Sequence, residues 1–342
     1  MRIDIAGSGV AAAVSGLLAA RSGHHVSAEF ASDLSERIVA VPRATVDLIE
    51  ELIGISITKV LPSRWLSKRY VAWDDQHFSV MHHETLAFDA QALTRVISSR
   101  IDTLASSSAG LQNNISRCWK LVASGRSASA SRIVAGARQA AAGWVAHLPG
   151  LDESAMLVAC VPQGWLVACP HPAGGISLAT VHPATVKWTP QDALFQAVNH
   201  FWRDRTTKVE MRCNRWVPAA PSFEPVCVSQ TQIAVGEAAI TFDPILGDGV
   251  GHAIRSALLA RSVMAAIAGG ANESDCLAHY RSRLAHAFAQ HVRNSAAHYR
   301  GAWNFAVWSE EITLMRACAA AVPFLDPLTL RLEGAELVSA NA

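Results

Sequence analysis

Charge is scarce in this chain, and neither sign prevails. Charged residues are 17% of 342, and 29 Lys and Arg against 28 Asp and Glu leave a net charge of +1. So small a charge argues against nucleic acid or an anionic membrane as the main partner. No C-x-x-C pair occurs. Seven scattered cysteines (118, 160, 169, 213, 227, 276 and 318) argue against a disulfide framework or a zinc site and fit buried thiols in a reducing compartment, the cytoplasm. No window is expected to reach the ~20 apolar residues of a membrane span. Met1-Arg2 and the small apolar residues after them imitate a signal peptide, but Asp4 and the nearby glycines favour a nucleotide loop. Internal repeats and low-complexity linkers are also missing.

What is present is a large apolar fraction. At 51% hydrophobic the chain is globular, and it is long enough for one large domain or two intimate ones. Arg2 to Ala6 reads as a buried strand. Gly7-Ser8-Gly9-Val10-Ala11-Ala12 follows, then an alanine-rich helix to about Arg21 and a second strand from His25 to Glu29. This is a βαβ unit with the G-x-G-x-x-G/A fingerprint. Gly7 makes the turn, Gly9 lets a pyrophosphate approach, and Ala12 allows close helix–strand packing. Glu29 is the acidic residue expected on the ribose, one position short of the usual spacing. Arg37 and Arg43 follow soon enough to reach cofactor phosphates or ribose.

Along the chain, a helix is expected over 46–53, ended by Gly54. Strands are expected at 55–57, 69–73 and 77–81, then a helix from about 90 to 101 with Asp89 as its N-cap. Cys118 to Ala123 reads as a buried strand ending in the tight turn Ser124-Gly125-Arg126, set beside the first glycine loop. Strands at 143–147, 155–161, 164–169 and 176–182 make a largely antiparallel sheet, with the turn 170–175 between the last two. Helices are expected at 190–203, 250–268 and 273–308, and a short strand at 215–218. In the last helix Leu277, Tyr280, Leu284, Phe288 and Val292 form one buried stripe, and Arg281, Arg283, Arg293 and Arg300 a solvated face.

The stretch VGEAAITFDPILGDGVGHAIRSALL, 235–259, organises the rest. A strand end meets Gly236-Glu237, a loop carries Asp243-Pro244, and Gly247, Gly249, Val250 and Gly251 open a helix. Free N–H groups and the positive helix end suit an electron-rich acceptor. Glu237 stands where it can accept from a ribityl or ribose hydroxyl.

Three motifs in order, GSGVAAAVSGLLAARSGHHV, LVASGRSASASRIVAGAR and VGEAAITFDPILGDGVGHAIRSALLA, resemble the FAD-dependent monooxygenases of the para-hydroxybenzoate hydroxylase fold. Within these the chain looks most like the tryptophan-halogenase-like branch. The terminal AHYRGAWNFAVW is similar to a segment of flavoproteins that modify tryptophan in quinone-cofactor biogenesis. The resemblance implies an α/β fold. A Rossmann-like FAD-binding domain of glutathione-reductase type (1–60, 89–136 and 228–270) interleaves with an antiparallel β-sheet substrate domain (61–88 and 137–227), and a helical C-terminus (271–342) follows. It implies Gly7, Gly9 and Ala12 at the pyrophosphate, Glu29 at the adenosine ribose, and Glu237 at the ribityl chain or pyrophosphate. Asp243, Pro244 and the backbone of Gly247 to Gly251 would line the isoalloxazine. The chain departs from the family at Glu237, where the family has Asp, and at Val122, where it has the Asp of D-A-S-G. The halogenase W-x-W-x-I-P motif is absent and no lysine matches the catalytic one, which disfavours halogenation.

The activity implied is hydroxylation of an electron-rich aromatic through a flavin C4a-hydroperoxide. The substrate would be an indole or tryptophan, including one in a partner polypeptide, with reduced flavin supplied by a separate reductase. His171, in the turn between two wall strands, is the candidate acid or base, and Trp73, Trp165 and Trp216 are candidate pocket walls. Two other readings stay open: a flavin-dependent dehydrogenase or reductase of the same fold, and a degenerate FAD-binding accessory protein without catalysis.

Overall fold

A computed structural model describes residues 1–28, 30, 36–74, 79–107, 117–126, 131–202, 210–211, 215–322, 330–334 and 336–339. The Glu29 expectation lies outside them. The chain begins as its sequence predicts, with β1 (Arg2–Ala6), α1 (Val10–Arg21) and β2 (His25–Ala28). Next come β3 (Ile38–Pro42), α2 (Arg43–Ile53), β4 (Ser63–Ala72), β5 (Ser79–Asp89), α3 (Ala90–Ser107) and β6 (Cys118–Val122). The middle of the chain holds β7 (Ile133–Val134), β8 (Arg138–Val145), β9 (Ala155–Val161), β10 (Gly164–Pro170), β11 (Ile176–Pro183) and α4 (Pro190–Trp202). Short strands follow: β12 (Glu210–Met211), β13 (Val217–Pro218), β14 (Ser222–Phe223), β15 (Val228–Ser229), β16 (Gln232–Ala234) and β17 (Ile240–Thr241). The chain closes with α5 (Gly249–Ala268), α6 (Glu273–Gly301), α7 (Ser309–Ala321), β18 (Leu330–Glu333) and β19 (Glu336–Ser339).

Two sheets carry the architecture. In the first, of order β15-β16-β6-β1-β2, β2, β1, β6 and β16 run parallel. Burial alternates along them: Ile3, Ile5, Trp119 and Leu121 enter the core, whereas Arg2, Cys118 and Lys120 are exposed. The second has nine strands, ordered β12-β8-β11-β10-β9-β4-β5-β3 with β13 on β8. It is antiparallel except between β4 and β9. The chain passes back and forth between the sheets, the interleaving the sequence suggested. One face of the second sheet packs on α4 through Leu157, Leu166, Leu178, Leu194 and Val198. The other face meets the core built on the first sheet and α6, through Trp165 and Val181.

Local chemistry explains the boundaries. Asp89 caps α3, accepting from the N–H groups of Gln91 and Ala92 at 3.0 and 3.1 Å, and it also takes the Arg37 N–H at 2.9 Å. Gly54 ends α2 in the left-handed conformation (φ 70°). The strand expected at 55–57 is instead a 3-10 turn, Ile57–Lys59. The Glu50 carboxylate accepts from Ser56 Oγ (2.7 Å) and Ile57 N–H (2.9 Å) and curls the chain. The helix expected to run to Trp308 stops at Gly301. Asn304 turns out of it and donates to the carbonyls of Val161 and Gly164 at 2.5 and 2.8 Å, fixing the break to the β9–β10 hairpin. The expected helical C-terminus is thus two helices followed by the β18–β19 hairpin.

One expectation is corrected outright. The helix α5 is long and apolar enough to cross a membrane by length and composition, with mean hydropathy 1.2. Its apolar character is that of a core helix: 56% of that window is buried, against α1 and α6.

Candidate functional site

Two helix N-termini meet at the C-terminal edge of the parallel sheet, a usual ligand position in such folds. The first is that of α1. Gly7 and Gly9 have φ of 127° and 135°, a conformation that requires glycine. No side chain caps the helix at Gly9, so its first N–H groups stay available. Among the described residues a Cβ on Gly9 would meet nothing within 4 Å, whereas one on Gly7 would lie 2.6 Å from the Ser124 nitrogen. The Ser124-Gly125-Arg126 turn therefore sits against the first glycine loop, as its sequence position suggested. Ala12 is fully buried in the packing of α1.

The second N-terminus is that of α5. Gly236 has φ 59°, and a Cβ there would stand 2.6 Å from that of Ala11, so this loop abuts α1. Its N–H donates to Ser256 Oγ at 2.9 Å. Glu237 is a third exposed, with its carboxylate 3.4 Å from the Arg37 guanidinium. Arg132 holds this turn from beneath, donating to the Glu237 carbonyl (2.5 Å), Ser222 Oγ (2.8 Å) and Thr241 Oγ1 (3.1 Å). Arg126 donates to the Pro218 carbonyl. Its burial lowers its pKa, and the nearby Glu237 charge opposes that shift. Pro244 opens the 3-10 turn Pro244–Leu246, closed by Gly247 at φ 62°. Asp248 pairs with Arg255 rather than capping α5, which leaves the N–H groups at Gly249 and Val250 uncapped. A Cβ on Gly251 would meet the side-chain ends of Asp248 and Arg255, at 2.5 and 2.8 Å.

The expected arginines separate. Arg37 reaches Glu237. Arg43 pairs with Asp47 at 3.1 Å and lies 4.9 Å over the Trp65 ring, so its contacts are with α2 and β4. His171 is buried, with both ring nitrogens engaged. Nδ1 accepts the Ala173 N–H (3.1 Å), so Nε2 carries the proton and donates to Glu36 (2.9 Å). The expected pocket tryptophans divide as well. Trp73 and Trp165 meet at 6.3 Å on the face of the large sheet toward α6. Trp216 lies on the opposite face, 5.6 Å from His182.

Asp243 brings together residues that sequence reasoning did not assemble. It is completely buried. Its carboxylate lies 3.1 Å from Arg138 Nε, accepts from the Tyr299 hydroxyl (3.0 and 3.2 Å), and takes the Ile245 N–H at 3.0 Å. Its own N–H donates to His291 Nε2 at 2.6 Å. Arg138 also pairs with Glu311 at 2.7 Å, and Trp165 donates to the Tyr299 oxygen at 3.1 Å. Two buried carboxylates thus share one guanidinium. Burial raises both carboxyl pKa values, against the pull of Arg138. Burial also pushes the Tyr299 hydroxyl well above its usual range, so it stays a donor. His291 is driven down to about 3 and His252 to about 4, both by burial. They flank Phe242, with ring centroids at 4.0 and 4.5 Å. The only sequence signals for this network were an arginine opening an apolar strand, Arg138, and the tyrosine of the AHYRGAW segment.

This architecture is the fold of the FAD-dependent monooxygenases and halogenases. Among solved structures, the chain is similar to the peptidyl tryptophan dihydroxylase QhpG, essential for tryptophylquinone cofactor biogenesis, with 17% identity, 99% of this chain and 86% of that chain covered, and a TM-score of 0.71. It is also similar to PqsL, a probable FAD-dependent monooxygenase from Pseudomonas aeruginosa (16%, 94% and 100%, 0.68). A third similar structure is the myxobacterial chondrochloren halogenase CndH (16%, 88% and 83%, 0.63). At these identities the likeness is one of fold. No protein-family model and no curated protein sequence matches the chain.

Proposed function

We propose that the chain is an FAD-dependent monooxygenase that hydroxylates an electron-rich aromatic, an indole or a tryptophan side chain, including one carried by a partner polypeptide. The observation that carries this reading is the convergence of Gly9, Gly236, Glu237 and Arg37 at two uncapped helix N-termini. The residues fit FAD. Open space over Gly9 admits a pyrophosphate, for which the α1 N–H groups and Arg37 are donors. The Glu237 carboxylate, partly exposed, suits the ribityl hydroxyls. The exposed Pro244 and the backbone from Gly247 to Gly251 suit the isoalloxazine.

When bound and reduced, FAD supplies the activation of dioxygen. One oxygen atom enters the aromatic ring and the other leaves as water. The protein's share is a rigid loop and a dry surface. Asp243 fixes the loop through Ile245 and Tyr299. His171 holds the β10–β11 turn to Glu36 and so steadies the segment bearing Arg37. With both nitrogens committed, it acts here as a positioning residue rather than as the acid or base.

The test supplies photoreduced FAD, isotopically heavy dioxygen and indole-bearing peptides. The reading expects one heavy oxygen in the product. Flavin reoxidation with label in peroxide alone would overturn it. A separate reductase belongs to the same proposal: NADPH alone should not bleach the bound flavin, and rapid bleaching would contradict that part. Protein that takes up no FAD would favour an accessory role.

A further inference from the structure

The face of the nine-stranded sheet turned toward α6 carries an apolar row. Val71, Val158, Val167 and Ala179 are register partners across four adjacent strands, β4, β9, β10 and β11. All four are partly exposed, whereas their neighbours in sequence Ala72, Leu157, Leu166, Ala168 and Leu178 are buried in the opposite face. Three strand spacings make the row about 14 Å long. Trp73, two residues after Val71, and Trp165, two residues before Val167, border it on one side. On the other side, two residues back along β4 and beside Met156, lies Arg69.

Arg69 is unusual for a half-buried cation. Its Nε is shut off from solvent and has no hydrogen-bond partner among the described residues. Burial lowers its pKa, and among the described residues no carboxylate offsets that shift. Two acidic residues just before β9 are engaged elsewhere, Asp152 with Lys68 on the opposite face and Glu153 with Arg64. A guanidinium set against apolar surface without a counter-charge is costly unless an anion joins it. Two residues of strand separate Arg69 from the valine row, about 6.7 Å. That is the span from an aromatic ring to a carboxylate on a short side chain.

We propose that Arg69 is a specificity-determining residue: it receives the carboxylate of an aromatic substrate whose ring lies on the Val71–Val158–Val167–Ala179 row. The inference deepens the monooxygenase reading and rests on it for the substrate's fate. The chemistry recognised is an aromatic ring with a carboxylate one short side chain away. It can come from a free aryl acid or from a tryptophan beside an acidic residue in a polypeptide.

The test is calorimetric binding to the FAD-treated full chain, with flavin content measured on the same samples. The probes are indole-3-acetate against indole-3-acetamide, and blocked Trp-Glu against Trp-Gln dipeptides. The wild type should prefer the acid in at least one pair by about tenfold. Which pair shows the larger preference identifies the source. Arg69→Gln should abolish the preference and Arg69→Lys should keep part of it. Lys68→Gln, which removes a charge from the opposite face, should leave it intact. Equal binding of acid and amide by the wild type, or a preference that survives Arg69→Gln, would overturn the inference. Flavin-loaded protein without the preference counts against Arg69 alone. Protein with the preference but no flavin counts against the monooxygenase reading alone.

Discussion

Tyr299 donates its hydroxyl to the buried carboxylate of Asp243, 3.0 Å from Oδ1 and 3.2 Å from Oδ2. This contact ties the end of α6 to the loop that leads into α5. Through Trp165 it also ties both to the large sheet. Removing the hydroxyl leaves the indole N–H of Trp165 without its acceptor and Asp243 with one partner fewer. Tyr299→Phe should therefore cost about 1–3 kcal/mol in chemical denaturation. Unchanged stability would show that the contact is incidental.

Arg138 has the larger burden, since two buried carboxylates depend on it. Arg138→Met should cost about 3–5 kcal/mol, because it leaves charge buried without a partner. Adding Glu311→Gln should restore part of that loss, as the pair shares one guanidinium. Strictly additive losses in the double mutant would contradict a shared network.

The Arg37–Glu237 pair separates binding from stability. Both side chains are substantially exposed, at 62% and 34%, and such pairs contribute about 0–1 kcal/mol. Glu237→Ala and Arg37→Ala should unfold almost as the wild type does, yet weaken FAD binding about tenfold or more, the loss expected for a charge-assisted contact. Arg43→Ala, whose partners are Asp47 and Trp65, should leave FAD affinity unchanged. Equal effects of Arg37→Ala and Arg43→Ala would mean that the site has been misassigned.

How far the sequence reveals the molecule depends on the range of the interactions. The Asp89 cap and the Gly54 stop were legible because each is set by residues within a turn of one another, and the first βαβ unit because its fingerprint and periodicity lie within residues 2–28. So was the Gly7–Ser124 contact, since each residue follows the end of an expected strand. The break of α6 was not, because it depends on Asn304 reaching carbonyls about 140 positions earlier. The Asp243 network was hidden for the same reason. Arg138, Tyr299 and Glu311 come from a strand and two helices that only the fold brings together. The strand expected at 55–57 failed on a local cause, a Glu50 side chain that competes with strand hydrogen bonds.

Acid should destabilise the protein through its buried neutral histidines. In the fold His291 is held down to about 3, against an unfolded value near 6.5. Between those values the unfolded chain binds the extra proton and the folded one does not, so stability falls as pH falls below about 6.5. The slope per group is about 1.4 kcal/mol per pH unit. The raised pKa values of Asp243 and Glu311 act in the opposite direction, so the comparison is best made with a variant. His291→Gln should lose less stability than the wild type between pH 6.5 and 4.5 in urea denaturation. Parallel losses would contradict the assignment.

The flavin site proposed for the two glycine loops, Arg37 and Glu237 is tested by a fluorescence titration of FAD into the full chain, with Gly236→Ala beside it. That variant forces a Cβ at φ 59° against Ala11. The wild type should show saturable quenching at one FAD per chain, and Gly236→Ala should lose binding or bind far more weakly. No quenching by the wild type, or equal affinity in the variant while it remains folded, would contradict it.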